Sequence, residues 1–167
     1  MKPLTLDPEP ARPADAARVV ALQRACYRGE AELYGDPNLP PLTETVADLR
    51  AAMETHRVLV LRSGEDIVGA VRGYRDGATC RVGRLCVREN LRGLGLGARL
   101  LSALEASFPD VERFELFTGH RSVANLRFYR RAGYTESRRE RLSPRIELVY
   151  LEKRLRPTGE RAAGAGR

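Results

Sequence analysis

Three glycines at alternate positions, Gly93, Gly95 and Gly97, lie in the run Arg92-Gly93-Leu94-Gly95-Leu96-Gly97-Ala98. Glycine lets a backbone come close to a ligand where a Cβ would stand in the way. The run follows the apolar Leu85-Cys86-Val87, which reads as the end of a strand. It precedes Ala98–Ala106, where Leu100, Leu101 and Leu104 share one helical face. Strand, glycine loop and helix together aim free backbone N–H groups and a positive helix end at a phosphate. The spacing therefore predicts an anion-binding site. A dinucleotide fold is one owner of such a site, because Gly93-x-Gly95-x-x-Ala98 matches its fingerprint formally. The next strand, Phe114–Thr118, does not end in the acidic residue that holds a ribose, which argues against that owner. A nucleotide P-loop fits less well, since no Gly-Lys-Ser/Thr follows.

The elements that must position this loop follow from apolar spacing and punctuation. Residues 3–7 predict a first strand, after which Pro8, Pro10 and Pro13 prevent regular structure. A helix is expected from Ala16 to Tyr27 with Val19, Val20, Leu22 and Cys26 inward, and then a long loop over Arg28–Pro41. Thr43 is expected to open a second helix to about Glu54. Strands follow at Arg57–Leu61, Ile67–Tyr74 and Thr79–Val87, then the glycine loop and its helix. A strand at Arg113–Thr118, a helix over Ser122–Ala132 closed by Gly133, and strands near Thr135–Leu142 and Ile146–Leu155 complete the order. This is a single-domain α/β arrangement with a mixed sheet, spanning residues 1–156, with 157–167 as a flexible tail.

Composition narrows the function classes. The net charge of +7 invites a nucleic-acid reading, but Lys2 and Lys153 are the only lysines among 29 basic residues. The arginines are also spread along the chain, so no specific nucleic-acid partner is expected. No apolar run approaches the roughly 20 residues of a membrane span, and the N-terminus lacks a signal-peptide core. A cytoplasmic protein with no membrane partner is the expectation. Cys26, Cys80 and Cys86 are too few for a disulfide framework or a metal site, so reduced, mostly buried thiols are expected. Cys80 and Cys86, six apart, should share one strand face.

With these elements in place, Arg92-x-x-Gly95-x-Gly97 resembles the Arg/Gln-x-x-Gly-x-Gly/Ala signature of the GNAT superfamily, the acetyl-CoA-dependent N-acetyltransferases. A second block, Ser122-x-x-Asn125-Leu126-x-Phe128-Tyr129-x-x-x-Gly133-Tyr134, resembles that family's asparagine- and tyrosine-bearing helix. The element order agrees from about residue 3 to 155. The resemblance implies a mostly antiparallel mixed sheet flanked by helices, with a splayed central strand pair at Arg84–Val87 and Phe114–Thr118.

It also implies a chemistry. Acetyl-CoA would be the cosubstrate, its pyrophosphate resting on the N–H groups of Leu94 to Ala98, with Arg92 and Arg99 supplying charge. Arg130 or Arg131 would serve the ribose phosphate. A backbone N–H near Cys86 or Val87 would polarise the thioester carbonyl. Tyr129 would be the general acid for the leaving thiolate. Ser122 and Asn125 would share its helix face toward the cofactor. The family's strand glutamate is missing from Cys80-Arg81-Val82-Gly83-Arg84-Leu85, which leaves Glu30, Glu32, His120 or water as the base. The acceptor would be a small-molecule or peptide amine, chosen by two regions. Tyr27–Asp36, with its acids, suits a cationic amine, whereas Arg138-Arg139-x-Arg141 suits an acidic one. Pairing of two copies is common in the family and is open here through the last strands, though nothing in the sequence decides it. A non-catalytic acyl-CoA-binding or regulatory module of the same fold is the alternative.

Overall fold

The computed structural model describes residues 6–155, so the expected tail lies outside the described residues. Seven strands form one sheet in the order β1-β2-β3-β4-β5-β7-β6. They are β1 (Glu9–Pro10), β2 (Arg57–Ser63), β3 (Asp66–Asp76), β4 (Thr79–Val87), β5 (Arg113–Gly119), β6 (Thr135–Arg141) and β7 (Glu147–Arg154). Neighbours are antiparallel except for β4 and β5. That parallel pair needs a crossover, which the glycine loop and helix α4 (Leu96–Ala106) provide.

Helices cover both faces. On one side α4 and α5 (Val123–Arg131) press Leu100, Leu101, Leu104 and Leu126 onto Val68, Val71, Phe114 and Leu151. On the other, α1 (Ala16–Tyr34), α2 (Pro40–Thr43) and α3 (Val46–Ala52) surround a smaller core. Val19, Val20 and Leu49 meet Val60, Ile67 and Ala70 there.

Four local expectations are corrected. The first strand is Glu9–Pro10 and pairs with β2; it is a sheet edge, where a proline's missing N–H is tolerated. Residues 3–5 of the expected strand lie outside the described residues. Helix α1 runs seven residues past Tyr27, through Gly29, and stops at Gly35 with φ +63°. Tyr34, 4% exposed, pins this extension, and burial of that ring outweighs the helix-weakening glycine. The cap of α3 is Thr45, not Thr43: its hydroxyl accepts from Asp48 N–H at 3.1 Å, and Asp48 returns the bond to Thr45 N–H at 3.0 Å.

The fourth correction concerns β4. Its pairing with β3 slips by one residue between Ala70 and Arg72, so Arg84 and Leu85 occupy a bulge opposite Val71. Arg84 takes φ +56°, a left-handed conformation unusual for a residue with a side chain. The bulge reverses the strand's alternation. Cys80 therefore packs toward α4 and Cys86 toward α1, on opposite faces.

Candidate active site

The N-terminus of α4 is built by two left-handed glycines, Gly93 with φ +81° and Gly95, its N-cap, with φ +78°. A Cβ at either would meet no atom within 4 Å, so it is the backbone angle that calls for glycine. At Gly97 a Cβ would lie 3.5 Å from the Phe128 ring, an ordinary contact. Leu94 points outward and Leu96 is buried in the core, which anchors the loop on one side only. Arg99 N–H bonds to Gly95 O at 3.1 Å. The N–H groups of Leu96, Gly97 and Ala98 therefore have no partner within the helix. These are free donors at a positive helix end, a fit for a phosphate.

The basic residues expected there are distributed unevenly. Arg92 folds back so that its Nε donates to Val87 O at 3.3 Å. Arg99 pairs with Asp7, an exposed contact that solvent weakens. Arg130 and Arg131 line a surface groove of about 540 Å³ on α5 with Arg127, Val123 and Leu126.

Beside this helix end the sheet opens. β4 and β5 pair only through Thr79–Arg113, Cys80–Phe114 and Arg81–Glu115, and beyond these β5 pairs with β7 alone. The outer half of β4 thus has a free edge. Arg88 N–H bonds to Val68 O at 2.8 Å, and Cys86 stands opposite Ala70. By the alternation of an antiparallel ladder, the polar groups of Cys86 face β3 and those of Leu85 and Val87 face the opening. Side chains reach their carbonyls there: Tyr27 Oη donates to Leu85 O at 3.3 Å, and Cys26 Sγ to Val87 O at 3.4 Å. Of the two expected thioester contacts, Val87 has its N–H on the free edge and Cys86 does not.

The Cys86 side chain has a different neighbour. It lies beside Cys26, and this neighbouring thiol, with the nearby Arg92 charge, lowers Cys26 to about 7 despite burial. The same neighbour and burial push Cys86 well above the usual thiol range. Cys80 is buried without such a partner and is pushed up to about 12.

Three tyrosines of α1 and α5 face this region. Burial, with Cys86 and Glu30 nearby, holds the Tyr129 phenol above its usual range. Its ring stands edge-on to Phe128 and Tyr134 at 5.2 and 6.0 Å between centroids. Burial beside Cys86 and Tyr129 likewise raises Tyr27. Tyr34 is bound further out: its hydroxyl lies 2.7 Å from Ser122 Oγ and accepts from Arg121 N–H at 3.0 Å.

Ser122 and Asn125 do lie on the inward side of α5, but they meet α1 there. Ser122 Oγ donates to Glu30 Oε2 at 2.7 Å, and Asn125 Nδ2 to Glu30 Oε1 at 3.3 Å and Thr118 Oγ1 at 3.3 Å. Ser122 is 5% exposed, so its hydroxyl is committed to Tyr34 and Glu30 rather than presented to a ligand. Among the expected bases, Glu30 faces this network and Glu32 sits on the exposed side of the helix. His120 Nδ1 accepts from Glu147 N–H at 3.0 Å and is occupied by β7. Nor are the arginines of β6 free for an acidic substrate. Arg138 stacks on Tyr150 and pairs with Glu140, Arg139 pairs with Glu136, and Arg141 with Glu147.

The sequence predicts Tyr27 at the end of the first helix and Glu30 and Tyr34 in the loop beyond it; the structure places all three on α1 at spacings of three and four, on one face. Arg84 was missed altogether, and the only sequence signal for it was an arginine where a strand residue should alternate. Among the described residues no helix is long and apolar enough to cross a membrane, and no group of three or more His, Cys, Asp or Glu could hold a metal.

An open mixed sheet with a parted parallel pair, beside a glycine-capped helix end, defines an acyltransferase-type architecture. The sequence pattern of the acetyltransferase (GNAT) domain matches residues 41–155, and the chain belongs to that family. It is 25% identical over 122 residues to the UPF0157 protein YqkA of Bacillus subtilis, which covers 73% of this chain. The match takes in only 35% of that relative's length, about a third. The fold is similar to that of the ribosomal-protein-S18-alanine N-acetyltransferase from Escherichia coli, with TM-score 0.76 and 14% identity, covering 93% of this chain and 97% of that one. It is also similar to the PaiA N-acetyltransferase from Thermoplasma acidophilum, solved in complex with coenzyme A. That structure has TM-score 0.73 and 12% identity, covering 91% of this chain and all of the other.

Proposed function

We propose that the chain is an N-acetyltransferase that moves the acetyl group of acetyl-CoA to a primary amine. The observation that carries this reading is the parting of β4 from β5 beside the free N-terminus of α4. A phosphate cradle, a free strand edge and a half-buried phenol then lie along one cleft. The neighbour solved with coenzyme A supports the choice of donor.

Acetyl-CoA supplies an activated thioester. The N–H groups of Leu94 to Ala98 hold its pyrophosphate, and Gly93 and Gly95 give them their direction. Arg92 stands at the junction of this loop with β4. The Val87 N–H donates to the thioester oxygen, where negative charge grows during attack. The acceptor nitrogen bonds to the carbonyl carbon, the carbon–sulfur bond breaks, and the sulfur leaves as a thiolate. Tyr129, kept protonated by its surroundings, gives that thiolate a proton. Glu30 takes the proton the amine releases, directly or through water. Ser122 and Asn125 hold Glu30 in place for this.

Isothermal titration with acetyl-CoA, with NADH as control, tests the donor site; saturable 1:1 binding of acetyl-CoA alone is expected. Thiol release across an amine panel then tests turnover. Absence of acetyl-CoA binding would reduce the glycine loop to a turn. Binding without thiol release for any amine would favour a non-catalytic module of the same fold.

A further inference from the structure

Two arginines and one carboxylate meet on the α1 side of β3 and β4. Glu44, between α2 and α3, receives Arg72 Nη1 on Oε1 at 2.7 Å and Gln23 Nε2 on Oε2 at 2.8 Å. Arg24 binds the same residue's backbone oxygen at 3.2 Å. Both carboxylate oxygens are thus engaged before Arg84 is counted. Arg84 Nε stands 3.9 Å from Glu44 Oε2, an ion-pair distance but too long for a hydrogen bond. It is the one buried side-chain nitrogen or oxygen among the described residues with no hydrogen-bond partner. The Nε itself is shut off from solvent, while the side chain as a whole is 21% exposed, so the rest of the guanidinium side chain is partly open.

The surroundings give this arginine no local counterion of its own. Arg72 and Arg84 are two cations against the single charge of Glu44, and an unpaired buried cation is costly. Burial and the adjacent Arg72 hold Arg84 below the usual guanidinium range. His56 is no anion, and burial with Arg72 lowers it too. The fold also spends backbone strain here: the left-handed φ of +56° in the β4 bulge turns Arg84 toward α1, where Tyr27 and Cys86 border the opening. An arginine in a strained backbone, without a hydrogen bond, beside the free edge of β4, is suited to an anionic ligand.

We infer that Arg84 binds a carboxylate of the acceptor, which makes the substrate an amino acid or another small amine bearing an acid group. This rests on the acetyl-transfer reading above. Val87 lies three positions beyond Arg84, a rise of roughly 10 Å, which limits how far the carboxylate can stand from the reacting amine. The arginines of β6 are not rivals for this role, since acids already pair with them.

Matched acceptors test the inference: glycine, phenylalanine and glutamate, and a dipeptide, each as the free acid and as its carboxamide. Thiol release is followed for the wild type, Arg84→Gln and Arg84→Lys, with acetyl-CoA affinity measured separately by calorimetry. The wild type should prefer acids to amides about 10- to 100-fold in kcat/KM, the worth of a charged hydrogen bond. Arg84→Gln should lose that preference through KM, with acetyl-CoA affinity unchanged, and Arg84→Lys should recover part of it. Equal use of acids and amides by the wild type overturns the inference, as does a preference that survives in Arg84→Gln. Acetyl-CoA binding without acetylation of either set overturns it while leaving the donor site standing. Failure to bind acetyl-CoA, seen in calorimetry alone, overturns both readings. The wild-type comparison needs no variant and stands even if a substitution disturbs folding.

Discussion

At Tyr129 the environment and the proposed task agree. Burial near Cys86 and Glu30 disfavours the phenolate, so the hydroxyl carries its proton throughout the neutral range. A group that must donate a proton gains from this, while a nucleophile or base would lose. Tyr129→Phe should lower kcat by about 100-fold, the worth of a positioned proton donor, with acetyl-CoA affinity little changed. An unchanged kcat in steady-state thiol-release assays would remove Tyr129 from the mechanism. The cysteines divide by the same reasoning. Cys26, lowered to about 7, has the Cys86 thiol and the Arg92 cation beside it, whereas Cys80, pushed up to about 12, is governed by desolvation, with Glu105 adding to it and Arg75 opposing it.

The elements position these residues through two departures from regular pattern. Helix α1 continues through Gly29 because Tyr34 finds Ser122 and the Arg121 N–H at its end. That continuation puts Glu30 on the same helix face as Tyr27, against Ser122 and Asn125. Gly119, at the end of β5, is what makes room for it. A Cβ there would lie 2.0 Å from the Tyr34 hydroxyl oxygen, so the tyrosine could not keep its place. Gly119→Ala should destabilise the protein by about 1–3 kcal/mol, as overpacking does, and lower activity by loosening Glu30. A thermal melt and kcat equal to wild type would show that α1 is held by other contacts. The second departure is the β4 bulge. It moves Arg84 and Cys86 to the α1 face and leaves the polar groups of Val87 on the free edge.

Across the whole molecule, the sheet is continuous in its strand order yet parted at its centre, and the two helical layers must hold the halves together. One tie runs from the start of α1 to β2. Asp15, 2% exposed, takes Arg62 on both oxygens at 3.0 and 2.9 Å and the Arg12 N–H at 2.8 Å. The Arg62 hydrogen bond leads in lowering Asp15 from 3.8 to about 2. A depressed carboxylate stabilises the fold above its unfolded value and loses that contribution as the pH falls through the folded one. The shift from 3.8 to about 2 corresponds to about 2 kcal/mol. Denaturant titrations should show that loss between about pH 4 and pH 2, and Asp15→Asn should flatten the dependence in this window. The same acid slope in the variant would place the effect on other carboxylates.

The sequence by itself determined what local pattern controls. Apolar periodicity and turn residues marked β2 to β7 and α4 and α5 to within a few residues, because all of these but β6, which is exposed along its length, bury apolar side chains in a regular pattern. Glycine spacing marked the N-terminus of α4, because left-handed angles at Gly93 and Gly95 are tolerated by few other residues. Only the tertiary structure decided the length of α1, since the burial of Tyr34 depends on α5, nearly ninety residues away. It also decided the faces of Cys80 and Cys86, because one bulged residue inverts an alternation that sequence counts as regular. Arg84 shows the same limit: no neighbouring residue marks it as unpaired, and its missing partner becomes visible only when Glu44, Arg72 and Gln23 converge from separate elements and use up the nearby charge.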